Sequence, residues 1–316
     1  MDQKVYLYVG EELARYGFPD GHPFGPDRQA AFLREATRQG LHRQAALRRP
    51  VVANREALER FHTPDYLEQV ERASRAGRGY LDYGDTPAFP GIFEAAAAVV
   101  GSALDGLRRL MEGECRRTFQ AIGGLHHARR ARAAGFCVFN DTGVLIETLR
   151  RDYGIRRVAY VDIDVHHGDG VFYAYEDDPD VIVADVHEDG RYLYPGTGHA
   201  DETGTGTAQG TKLNVPMPPG AGDEAFFQAW ERVEDHLRRF APEFVILQCG
   251  ADSLAGDPLA HLRYSSAAHA HAARRLAALA EEYAQGRLMA FGGGGYDRPN
   301  LATAWSAVLK ELVEAP

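Results

Sequence analysis

Aspartate and histidine residues stand at several points where short apolar runs of this sequence end. Asp164 and His166 follow one such run and lie two residues apart, so their side chains point to the same face of an extended chain. Asp252 follows another run and offers a third ligand. Two carboxylates and one imidazole that leave a fourth position open are typical of a catalytic zinc site. Taken alone, the same residues could instead cap a helix and a turn.

Two adjacent histidines, His126 and His127, follow a third apolar run. Burying an imidazole costs free energy unless the ring is hydrogen-bonded, so a buried pair needs partners. Asp162 and Asp169 are the candidates, because a carboxylate orients an imidazole ring and raises its basicity. The alternative interpretation is a solvated histidine pair on a loop.

Tyr296 comes directly after four glycines, at positions 292–295. A glycine run lets the backbone approach another group closely, and here it places a phenol at the rim of the predicted site. The pattern also predicts that this segment is mobile. Without the other clusters, the same residues would indicate only a flexible turn.

The remaining histidines and the cysteines are given structural interpretations. Most other histidines are expected at the surface without carboxylate partners: His42, His236, His261, His269 and His271. His187 and His199 lie near the predicted crevice and are left open. The three cysteines contain no C-x-x-C pair, which argues against a disulfide framework and a cysteine zinc site. Cys137 and Cys249 are expected to pack as small apolar groups.

The elements that must position these residues alternate between strands and helices. Six apolar runs predict strands: Val5–Val9, Thr118–Ile122, Val158–Val165, Val181–Val186, Phe244–Gln248 and Leu288–Phe291. Helices are predicted over Ile92–Met111, Asp141–Arg151 with Asp141 or Thr142 as N-cap, Asp223–Phe240, Ser265–Ala284 and Leu301–Val313. This order predicts one α/β domain over residues 1–316, with three layers, α/β/α, around a mostly parallel multi-stranded sheet. Ligands bind such sheets beyond the carboxyl ends of the strands, where the polar clusters fall.

Composition and charge exclude several classes of function. The net charge is −10 and the basic residues occur as scattered pairs, so no nucleic-acid partner is expected. The longest apolar run, residues 92–104, is far short of the roughly 20 residues that span a bilayer, so no membrane span is expected. The first residues are acidic where a secretion signal is basic, which predicts a cytoplasmic protein. The sequence does not predict an oligomeric state.

Eleven motifs give the chain a resemblance to a known family. It resembles the zinc-dependent histone deacetylase superfamily, and within it the bacterial acetoin-utilisation type. The resemblance implies the arginase/deacetylase fold and extends from near residue 5 to residue 310. The motifs, in the family's order, are GHPFGPDR (21–28), FHTPDY (61–66), GIFEAA (91–96), GGLHHA (123–128), GFCVFND (135–141), YVDIDVHHGDG (160–170), YPGTG (194–198), LNVP (213–216), LQCGAD (247–252), GDPL (256–259) and GGGGY (292–296).

The resemblance implies a metal-dependent amide hydrolase that removes acetyl or a related short acyl group from lysine. It makes His127 the general base and acid, His126 an electrostatic helper and Tyr296 the donor to the developing oxyanion. The carboxylate partners of the two imidazoles would be Asp162 and Asp169. Zinc would be held by Asp164, His166 and Asp252, although iron(II) could take its place because ligand identity alone does not fix the metal.

The resemblance also implies residues for substrate and for a monovalent cation. The tunnel that holds the acyl-lysine chain would be lined by Gly135, Phe136, Tyr194 and Leu259. Arg28 would lie by an internal pocket beneath the metal, and Asp85 is the best match to a rim aspartate that grips substrate backbone amides. A structural potassium or sodium ion would be held around Asp162, Asp164, His166, Asp185 and Val186.

Three positions depart from the family pattern. Position 185 is Asp where many relatives have Ser, which could alter the cation site. Tyr194 replaces a frequent Phe in the tunnel wall. Leu259 stands where polyamine-selective relatives carry Glu, so a cationic amine would find no partner there. Acetyl-lysine in proteins is therefore the expected substrate.

Three other functions compete with lysine deacetylation. One is deacetylation of small acetylated amines such as polyamines. A second, a binuclear manganese ureohydrolase of the same fold, would leave Tyr296 and the His126–His127 pair without a role. A third, a catalytically silent protein that senses an acylated ligand, is disfavoured because the predicted ligands, base and phenol are all retained.

Overall fold

The structure, a computed structural model, describes residues 5–19 and 21–316. In this part of the chain eight strands form one sheet, and every adjacent pair is parallel. Their order across the sheet is β2-β1-β3-β8-β7-β4-β5-β6. The strands are β1 (Val5–Tyr8), β2 (Ala46–Arg48), β3 (Arg117–Gln120), β4 (Val158–Asp162), β5 (Val181–Glu188), β6 (Lys212–Met217), β7 (Phe244–Gln248) and β8 (Leu288–Phe291).

Both faces of the sheet are covered by helices. Successive side chains of a strand point to opposite faces, so Val5 and Leu7 pack in one apolar cluster and Tyr6 and Tyr8 in another. The first cluster also contains residues of α2, α8, α9 and α10, and the second contains residues of α4, α5 and α6. The helices are α1 (Glu11–Ala14), α2 (Arg28–Arg38), α3 (Arg55–Leu58), α4 (Pro64–Ala76), α5 (Ile92–Met111), α6 (Asp141–Tyr153), α7 (Asp169–Ala174), α8 (Asp223–Phe240), α9 (Ser266–Tyr283) and α10 (Arg298–Glu314). The predicted three-layer α/β fold is confirmed.

Two strands were not predicted, and both lie at the edges of the sheet. The β2 strand has three residues, and its central Leu47 is about half exposed, so it carries no buried apolar run. The β6 strand contains Lys212, Asn214 and Pro216, and proline is tolerated in a sheet mainly at an edge. Neither segment has the continuous apolar pattern of the central strands. The helices α1, α2, α3, α4 and α7 were also missed.

The N-cap predicted for α6 was wrong by one residue. Asn140 is the N-cap, and its side-chain oxygen accepts a hydrogen bond from the Gly143 N–H at 2.8 Å. The Asp141 carboxylate instead accepts the N–H groups of Gly124 and Leu125, each at 2.8 Å. It thereby anchors the segment that leads into the histidine pair.

The carboxyl ends of β4, β5 and β7 meet at one edge of the sheet. Asp162, the last residue of β4, lies opposite Asp185 of β5 and Gln248 of β7. The β4 strand ends at Asp162 rather than at Val165 as predicted, so Asp164 and His166 lie on the loop that follows it. Within the described ranges, no helix is both long and apolar enough to cross a membrane.

Candidate metal centre and active site

Asp164, His166 and Asp252 converge at the edge where β4 and β7 end. One ligand atom from each of the three residues lies within 4.8 Å of the others. His166 Nδ1 is 3.1 Å from Asp164 Oδ1 and 3.3 Å from Asp252 Oδ2. All three side chains are buried. In the described ranges this is the one group of three or more such residues that could hold a metal ion.

The chemistry of these three residues fits a bound cation. Asp252 Oδ2 is buried and makes no hydrogen bond in the structure. Burial and the neighbouring charge of Asp164 raise the pKa of Asp252 to about 7. Two buried carboxylates this close repel each other unless a positive charge lies between them. A metal ion bound by one nitrogen and two carboxylate oxygens would supply that charge.

Hydrogen bonds from the surrounding chain orient both carboxylates. Asp164 Oδ2 accepts the Gln248 side-chain amide at 2.9 Å and the Gly294 N–H at 2.8 Å. Asp252 Oδ1 accepts the Val165 N–H at 3.1 Å. A Cβ atom on Gly294 would overlap the Asp252 carboxylate, so this position requires glycine. The glycine run before Tyr296 therefore lets the Gly294 N–H reach the candidate metal ligand Asp164.

The histidine pair is buried, and each ring has its own carboxylate. His126 Nδ1 lies 2.8 Å from Asp162 Oδ2, and His127 Nδ1 lies 2.7 Å from Asp169 Oδ1. The two Nε2 atoms are 3.0 Å apart. The structure thus makes the predicted pairings and removes the alternative of a solvated pair. It adds Arg129, whose guanidinium contacts the second oxygen of Asp169 at 2.7 Å.

The two imidazoles have different proton affinities. Burial disfavours the charge on His126, but the Asp162 carboxylate outweighs burial and raises the pKa of His126 to about 9. Burial and the positive charge of His126 lower the pKa of His127 to about 4. At neutral pH, His126 is therefore the protonated ring and His127 the neutral one. Because Asp169 accepts from Nδ1 of His127, the lone pair of that ring is on Nε2, where it faces His126 Nε2.

Tyr296 lines the same site. Its ring packs edge-on against Phe136, with centroids 5.9 Å apart. Burial and the charges of Asp252 and Asp164 raise the Tyr296 pKa well above its usual value, so the phenol keeps its proton. Its backbone N–H donates to Asp257 at 2.8 Å.

The backbone of the glycine segment is hydrogen-bonded to a buried arginine, and its mobility stays a prediction. Arg28 is fully buried, and its guanidinium donates to the carbonyl oxygens of Gly293 at 2.6 Å and Gly295 at 2.9 Å. Arg28 Nη1 has no hydrogen-bond partner, and burial lowers the pKa of this guanidinium to about 10. Arg28 does not line the open cavity that leads to His166 and His127.

A cavity of about 230 Å³ leads to His166, a candidate metal ligand, and to His127. It brings together five of the six predicted substrate residues, and only Arg28 is outside it. Leu193 also contributes to the wall and was not predicted. The predicted residues that line the cavity are Asp85, Gly135, Phe136, Tyr194 and Leu259.

Phe136 has a positive φ of 66°, which is rare for a residue other than glycine. Two hydrogen bonds hold it there. The Tyr16 hydroxyl donates to the Phe136 carbonyl at 2.7 Å, and the Phe136 N–H donates to the Thr86 hydroxyl at 3.0 Å. Such strain persists only where surrounding contacts fix it, and it is frequent at functional sites.

Asp85 belongs to a tight loop at the cavity mouth. Asp82 Oδ1 accepts the N–H groups of Gly84, Asp85 and Thr86, at 3.0, 3.1 and 2.9 Å. Burial and the neighbouring Asp82 carboxylate raise the pKa of Asp85 to about 7. The loop presents Asp85 to the same opening as Leu259.

Asp185 is already paired within the chain. Its Oδ1 is 2.6 Å from His187 Nδ1, and its Oδ2 accepts the Gly168 N–H at 2.8 Å. Burial alone would raise the pKa of Asp185, but the charge of His187 outweighs it and lowers this pKa. His187, for which the sequence predicted no role, is a buried partner of Asp185.

Two of the histidines expected at the surface without partners behave otherwise. His269 is fully buried, and its Nε2 lies 2.7 Å from the Gly250 carbonyl oxygen, next to the loop that carries Asp252. His261 is exposed but pairs with Glu188 at 2.7 Å. Cys137 and Cys249 are buried, and burial raises both thiol pKa values, as expected of small packing groups.

Gln248 is a site residue that sequence reasoning missed. Its amide nitrogen donates to Asp164 Oδ2 and to the Gly124 carbonyl, and its oxygen accepts the Gly250 N–H at 2.7 Å. One buried side chain thus connects the candidate metal ligand Asp164 to the backbone at Gly124 and at Gly250. The signal was a polar residue at the end of the apolar run Phe244–Gln248.

Comparison with known proteins agrees with this architecture. Residues 22–312 match the histone deacetylase domain. The chain is 35% identical over 321 residues to the acetoin utilization protein AcuC of Bacillus subtilis, with 99% of this chain and 82% of that protein covered. It is 32% identical over 316 residues to histone deacetylase clr6 of Schizosaccharomyces pombe, with 96% of this chain and 75% of that protein covered.

A solved structure shows the same fold. The crystal structure of the HDA15 HD domain superposes with a TM-score of 0.90 at 27% identity, and the match covers 99% of this chain and 89% of that one. Together with the domain match, this shows that the chain belongs to the histone deacetylase family. Its curated relatives include acetoin utilization proteins as well as a histone deacetylase.

Proposed function

We propose that this chain is a metal-dependent amide hydrolase that removes acetyl, or a related short acyl group, from lysine side chains. The observation that carries the proposal is the placement of His127, Tyr296 and the metal ligand His166 around one open cavity. We propose as well that residues 1–316 form one catalytic domain, which is supported by the single sheet that contains all the described strands.

Asp164, His166 and Asp252 would hold the metal, with zinc favoured and iron(II) the alternative. When bound, such an ion polarises the amide carbonyl and lowers the pKa of water from 15.7 to about 7. The nitrogen and oxygen ligands and the unpaired Asp252 Oδ2 support this assignment. In the described part of the chain no second ligand cluster is present, which disfavours a binuclear ureohydrolase.

His127 would move the protons of the reaction. Its Nε2 would accept a proton from the attacking water and later donate that proton to the departing lysine nitrogen. Asp169 holds the proton on Nδ1, so the lone pair that accepts the proton is on Nε2, which would turn from His126 to the water. His126 stays charged beside Asp162, which lowers the proton affinity of His127 and makes the second transfer easier.

Tyr296 would donate its hydroxyl to the carbonyl oxygen as negative charge develops there. A preorganised donor of this kind contributes about 3–4 kcal/mol to transition-state stabilisation. Tyr296 can serve as a donor because its pKa is held well above neutral pH. The Gly293 and Gly295 carbonyls bonded to Arg28 fix the backbone that carries it.

The cavity supports a short acyl group on a lysine chain. Among His127, His166 and Tyr296 a small inner space of about 10 Å³ has room for roughly one water molecule. The outer cavity has Phe136, Tyr194 and Leu259 along its walls, which suit an uncharged methylene chain. Asp85 at the mouth would accept backbone N–H groups of a peptide.

The resemblance also implies a potassium or sodium ion beside the site. Both oxygens of Asp185 are engaged by His187 and Gly168, so this side chain offers no free ligand. We propose that any such ion is held by main-chain oxygens, those of Asp162, Asp164, His166 and Val186. Asp185 stands where many relatives have Ser, and its contact with His187 balances the additional negative charge.

The direct test is acetate release from an acetyl-lysine peptide by metal-loaded protein. Asp252→Asn keeps the size of the side chain but removes a ligand charge, so it should abolish turnover and metal retention together. Arg43→Glu, which changes an exposed residue outside the cavity, is the matched control and should retain turnover. If neither the parent nor the control releases acetate, the proposed function is wrong.

A further inference from the structure

A second cavity, of about 370 Å³, opens beside the substrate cavity. The two share Asp85, Gly135 and Tyr194 as a common wall. An acyl-lysine whose side chain enters the first cavity therefore has its neighbouring residues over the second. We call this second cavity the side groove. The Asp82–Asp85 loop and residues 132–135 both line it.

Most charged groups of the side groove are already engaged. Arg129 pairs with Asp169, which in turn holds His127. Asp82 accepts three backbone N–H groups and the Thr86 hydroxyl, all from its own loop. These contacts leave little capacity for a ligand on either residue.

Arg132 differs from these groups. It is exposed, it lines the side groove, and over residues 5–19 and 21–316 it forms no ion pair. Its backbone is fixed by a hydrogen bond from the Arg129 N–H to the Arg132 carbonyl at 2.9 Å. A guanidinium presents a planar fork of donors that matches a carboxylate.

We infer that Arg132 makes the side groove a subsite for an acidic side chain next to the acyl-lysine of a peptide substrate. The inference rests on the proposed function and names a substrate class for it. The raised pKa of Asp85 supports it, because a partly protonated Asp85 repels an incoming carboxylate less than a charged one would. The exposed ring of Tyr83 also lines the side groove, where it can cover the methylene groups of the acidic side chain.

The test compares three acetyl-lysine peptides that differ only in the adjacent residue, which is Glu, Gln or Lys. The parent should prefer the Glu peptide over the Gln peptide about two- to fivefold in kcat/KM, the range expected of a solvent-exposed ion pair. Arg132→Glu should invert the order, so that the Lys peptide is the best of the three. Ratios taken within one protein preparation cancel any loss of folding or metal.

Two further measurements sharpen the result. Arg43→Glu makes the same change of charge outside the side groove and should keep the parent order. The Glu preference should also shrink at high salt, since screening weakens exposed ion pairs. Equal kcat/KM for the three peptides with the parent, or an unchanged order with Arg132→Glu, would overturn the inference while leaving the deacetylase proposal intact. A protein that hydrolyses none of the peptides would instead refute the proposed function.

Discussion

The Nε2 atoms of His126 and His127 lie 3.0 Å apart. At that distance only one of them can carry a proton in the contact, and the carboxylate partners decide which. Asp162 raises the pKa of His126, whereas His126 and burial lower the pKa of His127. The neutral ring is therefore the one that borders the open cavity.

Replacing His127 with Ala should lower kcat for an acetyl-lysine peptide by about 10²–10⁴-fold, the usual contribution of a general base or acid. His126→Ala removes only the neighbouring charge and should cost less. Steady-state kinetics and metal analysis of both variants check this. A larger loss for His126→Ala, with metal retained in both, would show that the two roles are reversed.

Tyr296→Phe should lower kcat about 10²–10³-fold, because the variant loses only a donor that acts in the transition state. Metal content and substrate affinity should change little, since the ring still packs against Phe136. The comparison is made on one acetyl-lysine peptide at saturating substrate. A kcat within threefold of the parent would mean that Tyr296 only shapes the cavity.

Leu259 is about one-third exposed and lines the cavity mouth. An apolar side chain there offers nothing to a second ammonium group, so kcat/KM should be higher for acetyl-lysine peptides than for acetylspermidine. Leu259→Glu should raise the acetylspermidine value relative to the peptide value. Leu259→Gln, which has nearly the same shape without the charge, is the matched control. Higher kcat/KM for acetylspermidine with the parent protein would contradict this account.

His62 predicts a pH dependence of stability. It is buried, its Nε2 accepts the Asn140 N–H at 2.9 Å, and burial lowers its pKa to about 3. Between this folded-state pKa and the unfolded-state pKa of about 6.5, His62 is protonated in the unfolded chain and neutral in the folded one. The contribution to folding is therefore fully present above pH 6.5 and is lost as the pH falls towards 3.

The check is urea unfolding of the parent and of His62→Gln between pH 7 and pH 4. Glutamine can still accept the Asn140 N–H but does not titrate in this range. The free energy of unfolding of the parent should fall faster as the pH decreases. The difference in this free energy between the parent and His62→Gln should therefore narrow. A difference that is constant with pH would show that His62 does not titrate on unfolding.

Much of the fold could be predicted from sequence because its central strands are buried on both faces. Phe244–Gln248 and Leu288–Phe291 have the same limits in the structure as in the prediction. The edge strand Lys212–Met217 was missed, since one side of an edge strand faces no neighbour and its residues need not be apolar.

The candidate site was predictable where its residues form a recognisable pattern within a short stretch of sequence. The residues Asp164, His166 and Asp252 and the histidine pair follow strand ends, and parallel strands bring such ends together. Contacts such as that of Arg28 with the Gly293 carbonyl join distant parts of the chain and left no pattern to read. The Asp185–His187 pair, by contrast, has the same two-residue spacing as Asp164 and His166 and could have been predicted.

The central claim is that one metal ion held by Asp164, His166 and Asp252 is required for amide hydrolysis. The most direct measurement is a titration of metal-stripped protein with Zn²⁺, and in parallel with Fe²⁺ without oxygen, while acetate release from an acetyl-lysine peptide is followed. Before metal is added, the stripped protein should release no acetate. The rate of acetate release should then rise linearly with added metal and reach a plateau at one metal ion per chain. Full activity in the stripped protein, or a plateau that requires two metal ions per chain, would contradict this central claim.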